Sequence, residues 1–203
     1  MLLPPGSAPP TNLLQERLAI AGNYAEATSW QPARSGDPVR PLILSGGPAV
    51  GKTSSGRALA LECDRGAYID ADDVRQLVVS GARTLWSGPE GQAQLLLGAR
   101  NVSAMARNFN DAAFDVVIAD FVTDSSLSVY RQALPDCFVV HLQISLSGAQ
   151  ERARTRRVYL TDDEFALLHH MIATPPDADV VIDVEGMTPA QQIEQIRNAW
   201  ASA

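Results

Sequence analysis

The run Gly46-Gly47-Pro48-Ala49-Val50-Gly51-Lys52-Thr53 has the spacing G-x-x-x-x-G-K-T, which suits a loop that holds the phosphates of a nucleoside triphosphate. Gly46, Gly47 and Gly51 permit backbone torsions that residues with side chains resist. Successive N–H groups, those of Ala49 and Val50 after Pro48 included, can therefore turn inward around phosphate oxygens. A helix opening near Gly51 adds the positive end of its dipole and carries Ser54 in its first turn. Lys52 is expected to reach the β- and γ-phosphates, and the Thr53 hydroxyl to ligate Mg²⁺.

A second constellation is acidic. In Ile69-Asp70-Ala71-Asp72-Asp73-Val74-Arg75, three carboxylates fall within four residues. Their mutual repulsion makes a purely structural use wasteful, whereas a cation or a proton transfer would explain them. Transfer of a phosphoryl group to a hydroxyl needs a group that orients the hydroxyl and accepts its proton. A carboxylate beside the loop, Asp70 or Asp72, suits this task, and a second one could hold Mg²⁺ through water. The plain alternative is that Asp72 or Asp73 caps the following helix. Arg75 lies one helical turn past Asp72 and shares its face, placed to bind an anionic or polar part of an acceptor. The acceptor is expected between the segment Asp72 to Trp86 and the helix beginning near Gly91, with Arg75, Trp86 and Gln94 as wall residues.

Asp120 ends the apolar run Val116-Val117-Ile118-Ala119, a position from which a carboxylate helps to hold Mg²⁺ or meets the acceptor; helix capping by it is the alternative. Further on, Glu151-Arg152-Ala153-Arg154-Thr155-Arg156-Arg157 concentrates arginines on one helix and its exit. Arg152 and Arg156 are four apart and share a face. Arginines suit bidentate phosphate contacts and the spreading of transition-state charge, while pairing with Glu151 or Asp162 is the bland reading.

These residues need elements to position them. Short apolar runs at 42–44, 67–69, 115–119, 137–144 and 180–182 read as strands. They alternate with helical stretches at 52–62, 72–80, 91–108, 125–134, 147–157 and 165–172, and with a last helix started by Thr188-Pro189. Thr161-Asp162-Asp163-Glu164 has capping-box spacing. Near-continuous apolar strands alternating with helices predict an α/β protein with a parallel sheet covered on both faces. Ligands of such sheets bind at the carboxyl ends of the strands, where each of the constellations above begins. Residues 1–40 read as a separate extension, with a Pro-rich tail, a possible short helix over 12–28 and a linker, before a domain spanning 41–203.

Composition narrows the class. The chain has 203 residues, 46% of them hydrophobic, and a net charge of −7. That size fits one domain of ordinary dimensions, and the acidic balance argues against a broad grip on nucleic acid. Cys63 and Cys137 stand far apart outside any C-x-x-C spacing, and His141, His169 and His170 form no metal motif. Two buried apolar cysteines are expected rather than a disulfide. No apolar run approaches the ~18 residues of a membrane span, and the start does not read as a signal peptide. A cytoplasmic protein without a membrane partner is the expectation.

The motifs together resemble the small P-loop kinases related to chloramphenicol phosphotransferase, shikimate kinase, adenylylsulfate kinase and zeta toxins, from about Leu42 to about Trp200. The resemblance implies a P-loop NTPase three-layer sandwich with a five-stranded parallel sheet and a small helical lid. IDADDVR is similar to the acidic segment of adenylylsulfate kinases and zeta toxins, which implies Asp72 at the acceptor hydroxyl and Arg75 at the acceptor. VVIADF looks like the third strand of chloramphenicol phosphotransferase and implies Asp120 near the active site. ERARTRR looks like the start of the lid and implies Arg152 and Arg156 as phosphate contacts.

The expected activity is transfer of the γ-phosphoryl group of ATP, with Mg²⁺, to a hydroxyl of a small molecule. An antibiotic or other natural product is the preferred acceptor, because the overall look is closest to chloramphenicol phosphotransferase. No N-K-x-D guanine-reading motif is present, so ATP is favoured over GTP. Two other classes compete: a kinase of nucleotide sugars or polynucleotide ends, as in zeta toxins, and a nucleotide-binding regulator without transfer. A mere regulator has no use for Asp70, Asp72 and Arg75, and the acidic balance argues weakly against polynucleotide ends.

Overall fold

The computed structural model describes residues 39–154 and 160–203, all within one compact unit. The expected tail, helix and linker before Val39, and Arg156 of the arginine helix, lie outside the described residues.

Five strands are present: β1 Leu42–Gly46, β2 Gly66–Asp70, β3 Asp115–Ala119, β4 Phe138–Gln143 and β5 Val180–Asp183. They form one sheet in the order β2-β3-β1-β4-β5, with every pairing parallel. The helices are α1 Lys52–Glu62, α2 Ala71–Arg75, α3 Gly88–Asp111, α4 Asp124–Ala133, α5 Leu146–Ala153, α6 Asp162–Met171 and α7 Pro189–Ala201. The expected parallel sheet and P-loop NTPase architecture are therefore observed.

Strand alternation sends side chains to two cores. Leu42, Leu44, Val117, Val140 and Ile182 meet Leu59 of α1 and Ile196 and Trp200 of α7. Ile43, Ile69, Val116, Ile118 and Val139 meet Ala99, Val102 and Ala106 of α3 and Leu127 and Tyr130 of α4. Fully burying each large aliphatic side chain contributes about 1.5–3 kcal/mol. Both faces are thus covered, which is why these strands lack polar alternation.

One helix stops earlier than periodicity suggests. The one expected over 72–80 ends at Arg75, where β-branched Val78 and Val79 and then Gly81 disfavour continuation. Leu77 and Val79 remain 73% and 94% exposed, so no packing face extends the helix. The helix expected to run to Arg157 is described only as far as Ala153. The capping boxes at Thr161 with Glu164 and at Thr188 with Gln191 both form. Cys137 is buried, Cys63 is partly exposed, and both are free thiols. No helix among the described residues is long and apolar enough to cross a membrane.

β1 lies at the centre, with the chain leaving it toward β3 and β2 on one side and toward β4 and β5 on the other. This is a topological switch point, where open α/β sheets leave a crevice beyond the strand ends. In register, Asp70 pairs with Ala119 and Gly46 with Leu142. The glycine loop, Asp70 and Asp120 are thereby delivered to the same edge of the sheet.

Candidate active site

The glycine loop leaves β1 and enters α1 through two left-handed glycines, Gly46 at φ 143° and Gly51 at φ 98°. A side chain at Gly46 would run into the Leu142 carbonyl oxygen, and a Cβ on Gly51 would lie 2.6 Å from Gln192 Nε2. Gly51 is the N-cap of α1, and no side chain caps the helix. The first N–H groups of α1 are therefore left for a ligand or water. Lys52 Nζ curls over the loop, donating to the carbonyls of Gly46 at 2.7 Å and Gly47 at 2.9 Å. Ser54 Oγ bonds the Gly51 carbonyl at 3.0 Å and so firms the turn.

The back of the loop is braced by residues the sequence reading overlooked or read otherwise. Gln192 of α7 donates to the Val50 carbonyl at 3.0 Å and to Ser55 Oγ at 3.1 Å. Arg152 was expected at phosphate. Its guanidinium instead donates to Val50 O at 3.1 Å, Gln192 Oε1 at 3.0 Å, Val184 O at 2.6 Å and Met187 O at 3.1 Å. It ties the phosphate loop to the turn between β5 and α7, because its place on α5 faces a cluster of carbonyl oxygens. Only the spacing of tertiary neighbours could reveal that.

Thr53 and Asp70 meet: Thr53 Oγ1 donates to Asp70 Oδ2 at 3.2 Å. The same oxygen accepts from Tyr68 OH at 2.9 Å. Burial, and then the nearby Asp70 carboxylate, push the Tyr68 phenol above its ordinary range, so it stays a donor. Asp70 Oδ1 accepts from Asp72 N at 3.1 Å, so Asp70, rather than Asp72 or Asp73, caps α2. A hydroxyl and a carboxylate side by side at the uncapped start of α1 suit Mg²⁺ shared with phosphate oxygens, an ion that keeps waters and takes few protein ligands.

Asp120 is not free for that ion. Its side chain is fully buried. Oδ1 accepts from Arg75 Nη1 at 2.7 Å and from Phe121 N at 2.6 Å, and Oδ2 accepts from Tyr130 OH at 2.7 Å. Three donors occupy both oxygens, so the expected metal role gives way to that of an anchor for Arg75. Arg75 Nη2 in turn donates to Asp72 Oδ1 at 2.6 Å. Burial works against the Arg75 charge, but the Asp120 and Asp72 carboxylates outweigh it and hold its pKa above the ordinary value. Tyr130, three residues after Leu127 and four before Leu134 on the apolar stripe of α4, carries no sequence sign of this duty.

Tyr130→Phe is expected to lower stability by about 1–3 kcal/mol, because it strips a donor from a buried carboxylate oxygen. Urea unfolding of the two proteins checks this, and an unchanged midpoint would refute it.

Trp86 packs with Leu85 and Met171 around Phe121, Leu168 and Ile172, which puts an apolar wall next to Asp120. Gln94 is occupied elsewhere: it accepts from Arg83 N at 2.8 Å and donates to Gly81 O at 3.0 Å and Glu90 Oε1 at 2.9 Å. It pins the loop that carries Trp86. α6 and the residue after it pack beside the glycine loop. A Cβ on Gly47 would lie 3.5 Å from Ile172 Cγ2, and His169 Nε2 lies 2.9 Å from the Ile144 carbonyl.

On the β4–β5 side of the loop is a cavity of about 430 Å³ bounded by Gly47, Val50, Ser145, His169, Asp183 and Glu185 among others. His141 lies at its floor, 1% exposed, with Nδ1 3.1 Å from Ser45 Oγ. Burial, helped by the Lys52 charge, holds its pKa down at about 4. A folded-state pKa below the unfolded value of 6.5 means that the unfolded chain binds the proton first as pH falls. This contribution to stability is therefore whole above about pH 6.5 and is lost on the way down to pH 4. The loss is at most about 3 kcal/mol. Urea midpoints of wild type and His141→Gln across that window should converge as the pH drops; parallel curves would refute the assignment.

No protein-family model matches this sequence, and no curated protein does. Solved structures match it in fold. A sugar kinase from Janibacter sp. HTCC2649 superposes with a TM-score of 0.63 at 20% identity, over 81% of this chain and 95% of that one. Shikimate kinase from Acinetobacter baumannii gives a TM-score of 0.57 at 20% identity, over 81% and 95%. The tunicamycin resistance protein of Deinococcus radiodurans gives 0.56 at 16% identity, over 79% and 95%. These likenesses support the fold of small P-loop kinases. They do not support the narrower likeness to chloramphenicol phosphotransferase.

Proposed function

We propose that this protein is a kinase that moves the γ-phosphoryl group of ATP to a hydroxyl of a small molecule. One observation carries the reading. A glycine loop with an inward lysine stands at the same sheet edge as Thr53 paired with Asp70, and next to both lies an exposed carboxylate, Asp72, held by an anchored arginine. A switch that only binds nucleotide has no need of that last pair.

In this reading the loop N–H groups and Lys52 take the β- and γ-phosphates, and the nucleoside occupies the cavity on the β4–β5 side. Thr53 and Asp70 would hold Mg²⁺, which would offset phosphate charge. Asp72 orients the acceptor hydroxyl. That oxygen bonds to the γ-phosphorus as the bond to the β–γ bridging oxygen breaks, ADP leaves, and the hydroxyl proton passes to Asp72. Lys52 and the α1 N-terminus spread the charge of the transferring group.

The domain so formed spans 41–203, with 1–40 as an extension. An antibiotic or other natural product is the acceptor we favour; the tunicamycin resistance protein among the structural likenesses is the finding that favours it.

The test is ADP release by the full chain with ATP over a panel of hydroxylated metabolites and antibiotics. Turnover is expected to depend on Mg²⁺ or Mn²⁺, to vanish in excess EDTA, and to be slow without acceptor. Full activity in EDTA would contradict the proposal.

A further inference from the structure

The arginine at the acceptor end is not available to an anion. Arg75 Nη1 and Nη2 each end on a carboxylate, Asp120 at 2.7 Å and Asp72 at 2.6 Å. Its side chain is only 14% exposed. Its stem is wedged against α3, where a Cβ on Gly98 would lie 3.0 Å from Arg75 Cγ. The partner on the inner side cannot swing away, because Asp120 is buried and bonded by Tyr130 and Phe121 as well. Two carboxylates thus share one guanidinium, and the group carries a net negative charge. The outer partner, Asp72, has a side chain 74% exposed, and its Oδ2 accepts no hydrogen bond from the described residues.

Resting on the kinase reading above, we infer that the acceptor is an uncharged or amine-bearing alcohol and that carboxylate- or phosphate-bearing alcohols are rejected. A carboxylate brought to this end of the site has to compete for Arg75 with two carboxylates already in contact, and it meets the Asp72 charge at close range. An ammonium or a neutral hydroxyl meets an unoccupied acceptor oxygen and a complementary field. Of the anionic or polar group that the sequence suggests for Arg75, its neighbours disfavour the anionic one. The apolar wall of Trp86 and Phe121 beside this group lets an aromatic or a sugar skeleton carry the hydroxyl.

The experiment uses the full chain with saturating Mg²⁺ and ATP and two matched sets of alcohols. One is glucose, glucosamine and glucuronate; the other is 2-phenylethanol, phenylalaninol and 3-phenyllactate. ADP release gives kcat/KM for each, and calorimetry with a non-hydrolysable ATP analogue, with Lys52→Ala as control, measures nucleotide binding apart from turnover. In any set that is used, the neutral and amine members are expected to exceed the carboxylate by at least about tenfold, the discrimination that one misplaced charge commands. Raising the salt to 0.5 M should narrow that ratio, since Asp72 is exposed and screened. Equal or better use of the carboxylate, a ratio indifferent to salt, or no turnover of either set while nucleotide binds would overturn the inference and leave the nucleotide site standing. A wild-type chain that fails to bind the nucleotide analogue sinks the kinase reading beneath it.

Discussion

Lys52→Ala is expected to reduce phosphoryl transfer by about 10²–10³-fold or more, the cost of removing one aligned charge-stabilising donor from a transfer site. Nucleotide binding should weaken strongly as well, because in the proposed reading Lys52 is the loop side chain that takes the β- and γ-phosphates. The fold should survive. Lys52 Nζ contributes hydrogen bonds to the Gly46 and Gly47 carbonyls, worth about 1 kcal/mol each, whereas the loop is also held from behind by Gln192 and Arg152. The measurements are the transfer rate, the ATP dissociation constant and the urea midpoint of the same preparation. Unchanged transfer with weakened stability would make Lys52 a structural residue and remove the kinase reading.

Asp72→Asn is expected to lower transfer by roughly 10²-fold or more, the range of general-base catalysis, with little change in ATP affinity. Asparagine keeps an oxygen for Arg75 Nη2 and can neither take the proton nor carry the charge. Capping does not enter, since Asp70 is the N-cap of α2. Asp70→Asn should behave differently. Its carboxylate faces Thr53 and Tyr68, so its loss should raise the Mg²⁺ concentration needed for half-maximal rate. Measured side by side, the two variants separate base from metal partner. If Asp70→Asn alone loses turnover at saturating Mg²⁺ while Asp72→Asn matches wild type, the base assignment is wrong by two residues. Full activity in both would make the acidic cluster structural.

The glycine loop, the five strands and the Thr161 capping box were legible because each rests on local rules. Positive φ demands glycine at 46 and 51, a Thr or Ser three residues before a Glu or Gln closes a helix start, and strands buried on both faces must be apolar throughout. The meeting of Thr53 with Asp70 was foreseeable for the same reason, since both follow strands that end at one sheet edge. Helix length was less legible at Arg75, because the end is set by what Leu77 and Val79 fail to pack against.

The residue types themselves determine that this chain has a loop of phosphate-binding spacing, a carboxylate cluster and an acid after the third strand. Which partner each charged group takes was decided only by the tertiary structure. Asp120 became an anchor because Tyr130, ten residues on, and Arg75, forty-five residues back, converge on it. Arg152 became a brace because the β5–α7 turn presents carbonyls to α5. A charge taken out of water settles on the donors or acceptors that burial puts within about 3 Å. Those partners lie far away in the chain, so local pattern names the candidates and packing distributes their roles.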